Sequence, residues 1–266
     1  MGEAAGKRRA HDALLRAFPW CIYCGSRANS VEHMPPKIMF RGKQRPKGLE
    51  FPSCLPCNNG TSHSDLVAST LGRVMPDPAT DTDKDEVVKL FRAVSNNIPG
   101  LLDEMRMGAA GQKLAKRRMP VPPEGGVLRA NGPLVTKHMQ IFGAKLGFAL
   151  YFEAFGTPVP SEGGVQPIWF SNAQAARGEI PQNLLRFLPE PQTLRQGKKE
   201  VSDQFQYAWV VTEEGQHALF YATFRESFAI AAIAALDRTT YLDKDATGFP
   251  VFSPGDLRNS NVDAFR

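Results

Sequence analysis

Hydrophobic positions recur along this chain with two different periods, and the changes of period mark out its elements. In DKDEVVKLFRAVSNNIPGLLDEMRM the apolar residues Val87, Val88, Phe91 and Val94, then Leu101, Leu102 and Met105, fall at helical spacing. Proline removes a backbone donor, so Pro99-Gly100 should break this stretch into two helices. The segment from Pro133 to Gly156, PLVTKHMQIFGAKLGFALYFEAFG, is apolar almost all round, which predicts a buried central helix opened by Pro133 and closed by Gly156. Val165 to Ser171 reads as a strand and Pro181 to Leu188 as a short helix. FQYAWVVT and HALFYATF, aromatic and β-branched on both arms around EEGQ, read as a hairpin. The longest apolar run, Phe228 to Leu236, reads as a short apolar helix.

Two stretches interrupt the periodicity. RVMPDPATDTDKDE, Arg73 to Glu86, carries two prolines and four aspartates and reads as a linker ending in a helix N-cap around Asp83 or Asp85. Met119 to Pro133 is rich in Pro and Gly and reads as loop, with a short strand at Val127 to Arg129. The expected organisation is a small module over 1–75, a linker over 76–86 and a larger domain over 87–266. With helices and strands in this order the fold class is α+β. The larger domain matches no fold recognisable from its pattern, and its expected role is targeting, sensing or dimerisation.

Charge sharpens this division. The formal net charge is +5, but Met1 to Arg73 holds eleven Lys and Arg against five Asp and Glu, while the remainder holds twenty-one against twenty-two. The basic excess belongs to the first segment, and a small basic module suits a polyanionic partner, most simply nucleic acid. At 42% hydrophobic and 22% charged, the 266-residue chain has the make-up of an ordinary soluble protein with a sizeable core. No run approaches the ~20 apolar residues that cross a bilayer. MGEAAGKRRAHDALLRAF has basic residues but no apolar h-region, so it does not read as a signal peptide. The expected setting is cytoplasmic, with no membrane association.

All four cysteines lie between positions 21 and 57, in CIYC (Cys21, Cys24) and CLPC (Cys54, Cys57). Each C-x-x-C turn can direct two thiolates at one cation, and two such turns complete the tetrahedral shell that Zn2+ prefers. Gly25 after the first pair and Asn58-Asn59-Gly60 after the second suit tight knuckles, with Asn58 able to close its turn in left-handed geometry. The expectation is a structural zinc ion. Between the pairs, VEHMPPKIMF places Glu32 directly before His33.

This arrangement of two cysteine pairs, an acidic-His couple after the first knuckle and a Cys-Asn exit from the second resembles the HNH endonucleases, the zinc-containing branch of the ββα-metal nucleases. The resemblance covers Cys21 to Val74, about a quarter of the chain. It implies a hairpin bearing Glu32-His33 and a helix over Ser62 to Val74. It also implies catalytic roles for His33, Glu32 and Asn58: Glu32 and Asn58 as oxygen ligands to a catalytic Mg2+ or Mn2+, and His33 as general base. Three departures stand out. Glu replaces the usual Asp before the His, Leu49 stands where many members carry Asn, with Glu50 or a backbone carbonyl as substitute, and Thr61 occupies the position of the last His or Lys. His63 or Asp65 is then expected to lean into the site. His11, His138 and His217 have no catalytic neighbours in sequence and read as structural.

Ile38 to Gly48, IMFRGKQRPKG, carries Arg41, Lys43, Arg45 and Lys47 and reads as a nucleic-acid-binding loop that straddles a phosphate backbone without reading its sequence. Lys7 to Arg9 adds further cations. The expectation is a metal-dependent endonuclease acting on nucleic acid, DNA ahead of RNA, with a homodimer as one way to cut both strands. The alternatives are a zinc-knuckle nucleic-acid-binding protein without catalysis, and a bacterial defence effector whose C-terminal domain senses a ligand or protein partner.

Overall fold

The structure is a computed structural model describing residues 3–74, 81–118, 126–191, 193–197, 199–212, 214–242, 248–258 and 260–261. The chain opens with helix α1 (Glu3–Ala17), then strand β1 (Ser30–His33), two 3-10 turns (Lys37–Met39 and Arg41–Lys43) and strand β2 (Glu50–Ser53). Helices α2 (Leu55–Gly60), α3 (Ser62–Arg73), α4 (Asp81–Asn97), α5 (Leu101–Met105), α6 (Ala109–Arg118) and α7 (Pro133–Phe155) follow. Strand β3 (Gly164–Ser171) and helices α8 (Asn172–Ala176) and α9 (Gln182–Arg186) lead to β4 (Arg195–Gln196), β5 (Lys199–Glu200), β6 (Gln206–Val211), β7 (His217–Phe224), β8 (Phe228–Ala235) and α10 (Arg238–Tyr241). The class is α+β, and none of the described helices is long and apolar enough to cross a membrane.

Helix α7 is the axis of the molecule. Pro133 occupies its first turn, and Gly156 ends it at φ 67°, a left-handed turn that costs glycine little. One side of α7 lies on an antiparallel sheet of order β3-β8-β7-β6. Gly143 and Gly147 face that sheet: a Cβ added at Gly143 would sit 2.8 Å from Pro167, and one at Gly147 2.6 Å from Val165 and 2.9 Å from Ala232. At about 100° per residue, Lys145 points the opposite way from both glycines, toward the cysteine-bearing segment. On that side Tyr23 packs edge-on against Phe148, and Phe51 against Phe152. One continuous apolar cluster therefore runs from the cysteines through α7 into the sheet.

Three expectations need correction. Phe228 to Leu236 is strand β8, not helix; it pairs with β3 on one side and β7 on the other over its whole length. Its Ala-rich composition favours helix in isolation, but a run of eight apolar residues has the length of a buried strand, and small alanines admit α7 to the sheet. Val127 to Arg129 forms no strand; its backbone is tied instead to Gln112 and Met105. The expected cap near Asp83 or Asp85 lies inside α4, which begins at Asp81, and buried Arg73 holds Asp83 and Glu86 at 3.4 and 2.8 Å. Residues 75–80 of the expected linker lie outside the described residues.

Candidate metal centre and hairpin site

The two cysteine turns close as their sequence implies. Gly25, at φ 69°, donates to the Cys21 carbonyl at 2.9 Å, and Asn58 donates to the Cys54 carbonyl at the same distance. The ligand atoms of Cys21, Cys24, Cys54 and Cys57 all lie within 4.8 Å of one another. Four mutually crowded sulfurs, three of them buried, suit a thiolate-preferring cation such as zinc. The Cys24 hydrogen bond and burial push the Cys21 thiol up to about 11, while the Cys24 thiol is depressed by hydrogen bonds from Cys21 and Cys57. The cluster fastens the knuckle before β1 to the N-terminus of α2.

Strands β1 and β2 pair antiparallel, with Glu32 opposite Phe51 and His33 opposite Glu50. Successive side chains on a strand point to opposite faces, so Glu32 and His33 cannot share a pocket while both stay in β1. Glu32 turns inward. Its Oε2 lies 2.9 Å from Lys145 Nζ, and Asp65 Oδ2, from α3, lies 2.7 Å from the same nitrogen. The Lys145 side chain is wholly buried, and the Glu32 side chain is 7% exposed. Burial alone would lower the Lys145 pKa, but Asp65 and Glu32 raise it, so the ammonium stays charged. Burial pushes Asp65 up to about 7, with Lys145 opposing and Glu32 reinforcing. One ammonium thus faces two carboxylates in a dry pocket, beside a Tyr23 hydroxyl that has no hydrogen-bond partner among the described residues.

This pocket does not fit the oxygen-ligand role expected of Glu32 and Asn58. Lys145 already fills the gap between the carboxylates. Asn58 Nδ2 donates to Ser30 Oγ at 2.8 Å, which ties α2 to the start of β1. Asn58 also lies within α2 and is not left-handed. Asp65 meets Glu32 only through the Lys145 ammonium, an ion-pair partner in place of the metal-ligand role expected of it. His63 lies beside His138, whose own pKa falls to about 4 through burial and then the His63 charge.

His33 turns outward, where a second group assembles. His11 from α1, His33 from β1 and Glu50 from β2 each offer a ligand atom, and these atoms lie within 4.8 Å of one another. The rings of His11 and His33 are 6.0 Å apart between centroids. His33 Nδ1 is buried without a hydrogen-bond partner among the described residues, 3.6 Å from Glu50 Oε1. Burial lowers the His33 pKa to about 3, assisted by Arg45, Lys37 and His11, so the imidazole is neutral at physiological pH. Solvent reaches this side, since the His33 and Glu50 side chains are 17% and 35% exposed.

Leu49 helps to build this face. It is buried at φ 55°, directly after Gly48 at φ 83°, and the two left-handed residues swing the chain so that Glu50 enters β2 opposite His33. That geometry costs a non-glycine residue about 1–2 kcal/mol, here set against burial of the leucine side chain. His11 reads as structural in the sequence, and nothing local to KRRAHDALLRAF shows that α1 lies against the hairpin. Glu50 was expected only as a substitute for the missing Asn.

Two of the four cations of the Ile38 to Gly48 loop are tied into the fold. Arg45 is buried, donates to the Pro46 and Gly48 carbonyls, and is bonded to Glu50. Arg41 pairs with Asp83 at 3.5 Å. Lys43 and Lys47 remain exposed, as do Arg8, Arg9 and Arg16 on α1. No family profile, curated protein or solved structure matches this chain.

Proposed function

We propose that this chain is an endonuclease of the HNH kind, hydrolysing phosphodiester bonds in nucleic acid, DNA ahead of RNA. The observation that carries this reading is His33. A neutral, partly exposed imidazole stands at the end of a hairpin whose strands run into a four-cysteine cluster and a following helix, in the order β1, β2, α2, α3. The cysteine cluster, holding zinc, would fix the hairpin and take no part in the chemistry. Exposed Arg8, Arg9, Lys43 and Lys47 give the segment the charge to hold a phosphate backbone without reading its sequence. Neutral imidazole is the form that either accepts a proton or binds a cation, and a charged imidazolium could do neither.

A second reading, a zinc-knuckle nucleic-acid-binding protein without catalysis, is favoured by the commitment of Glu32 to Lys145. The experiment separating the two is cleavage of supercoiled plasmid, single-stranded DNA and RNA across Mg2+, Mn2+, Co2+ and Zn2+. The nuclease reading expects cleavage that His33→Ala lowers by at least about 100-fold, within the range general acid-base or metal catalysis supplies, with the cysteine-bound zinc and circular dichroism unchanged. Wild-type protein that binds all three substrates and cuts none would establish the binder instead.

A further inference from the structure

The inner pocket of the hairpin is filled by an ammonium, while the outer face carries three metal-ligating side chains from three different elements. We infer that His11, His33 and Glu50 form a seat for one divalent first-row transition ion such as zinc, cobalt or manganese, distinct from the four-cysteine cluster. The seat's existence stands on this geometry alone; its use in hydrolysis rests on the nuclease reading.

Four observations carry the inference. Two imidazoles and one carboxylate form the donor set that catalytic zinc sites use when they leave a position open for water or substrate. Their ligand atoms lie within 4.8 Å of one another. Around a tetrahedral ion bound at ~2.1 Å such atoms stand roughly 3.4 Å apart, so closure needs side-chain rotations on the order of an ångström. His33 Nδ1 is a buried polar atom with no hydrogen-bond partner among the described residues, and it faces Glu50. Arg45, itself buried, is bonded to Oε1 of Glu50 and fixes the carboxylate as an outer-sphere partner does.

Nitrogen-rich donors favour transition ions over Mg2+, which prefers an all-oxygen shell. The expected metal for this face therefore differs from the Mg2+ that an acidic and amide pair would take. It also gives α1 a purpose beyond packing: the helix supplies a ligand, and its exposed Arg8 and Arg9 lie within a turn of it.

The test is Co2+ titration of the full chain already loaded with one equivalent of zinc. The expected result is one further equivalent of Co2+ with ligand-field absorption and no thiolate-to-cobalt charge-transfer band. In His11→Ala the affinity for that equivalent should fall by more than about 10-fold, since even outer-sphere changes cost 10–100-fold, while the cysteine-bound equivalent stays. His11→Ala is the primary variant because the His11 side chain lies on a partly exposed helix face; His33→Gln serves as the second. A wild-type chain that takes up no second equivalent, or a His11→Ala chain that retains it at full affinity, overturns the seat. Cobalt bound at this seat without cleavage of any substrate would remove the nuclease reading and leave the seat; cleavage without a second equivalent would do the reverse.

Discussion

The two faces of strand β1 use the same kinds of side chain for opposite ends. Glu32 meets Lys145 and Asp65 in a pocket where the ammonium is wholly buried, whereas His33 meets His11 and Glu50 where solvent still reaches. Inside, charges neutralise one another and join the hairpin to α3 and α7. Outside, a buried nitrogen is left unsatisfied and neutral. The difference teaches that residue type does not decide role here. An acid next to a histidine reads as a catalytic couple in sequence, yet strand alternation sends the two in opposite directions, and what each one meets decides what it can do.

The largest effect expected from this contrast falls on Lys145. Lys145→Met should destabilise the fold by about 3–5 kcal/mol, because two carboxylates then lose their buried counter-charge. Adding Glu32→Gln and Asp65→Asn should recover most of that loss, since replacing a whole buried ionic group is often close to neutral. Denaturant midpoints measure both, and a Lys145→Met protein within 1 kcal/mol of wild type would mean that the inner pocket does not join the layers. By contrast, His33→Ala is expected to change the midpoint far less than it changes cleavage.

A smaller effect follows from pH. Asp65 has a folded pKa of about 7, raised chiefly by burial from the usual 3.8. Its contribution to stability is fully present below the unfolded value and is lost as pH rises through the folded one, with a slope of at most ~1.4 kcal/mol per pH unit. His138 works the other way. Its pKa is lowered to about 4, chiefly by burial, so its contribution is present above about 6.5 and is lost as pH falls through 4. Between pH 4 and 7 the two oppose each other. The difference between wild type and Asp65→Asn isolates the carboxylate: the variant should lose less stability, or gain more, as pH rises across that window. Parallel stability curves would mean that Asp65 does not carry the raised pKa.

The smallest effect concerns the loop. Lys43→Glu with Lys47→Glu should weaken binding to all nucleic-acid sequences alike and flatten the salt dependence by roughly 0.9 per neutralised phosphate contact. Charge reversal at buried Arg45 should act through Glu50 and the fold instead. Salt-titrated binding of both variants checks this, and a sequence-selective loss for the lysine pair would contradict a purely positioning role.

Much of the scaffold was legible in the sequence. The four cysteines announced their cluster by spacing, α7 announced itself by apolar length between Pro133 and Gly156, and the aromatic arms of β6 and β7 read directly as a hairpin. Strand β8 did not, because eight consecutive Ala, Ile and Phe residues carry no period and only pairing on both edges makes them a strand. The site was legible in part. His33 and Glu50 were visible as candidates, but His11 depends on where α1 docks, a tertiary fact without a local signature. Lys145 does leave a trace in the sequence: a charged residue deep inside an otherwise apolar helix requires a partner, and Glu32 and Asp65 supply it.

The most direct test of this division of labour is the position of Mn2+ located by anomalous scattering in crystals of the zinc-loaded protein. The account predicts one manganese peak bounded by His11, His33 and Glu50, with Lys145 still seated between Glu32 and Asp65. A peak between Glu32 and Asn58, with Lys145 displaced, would contradict it.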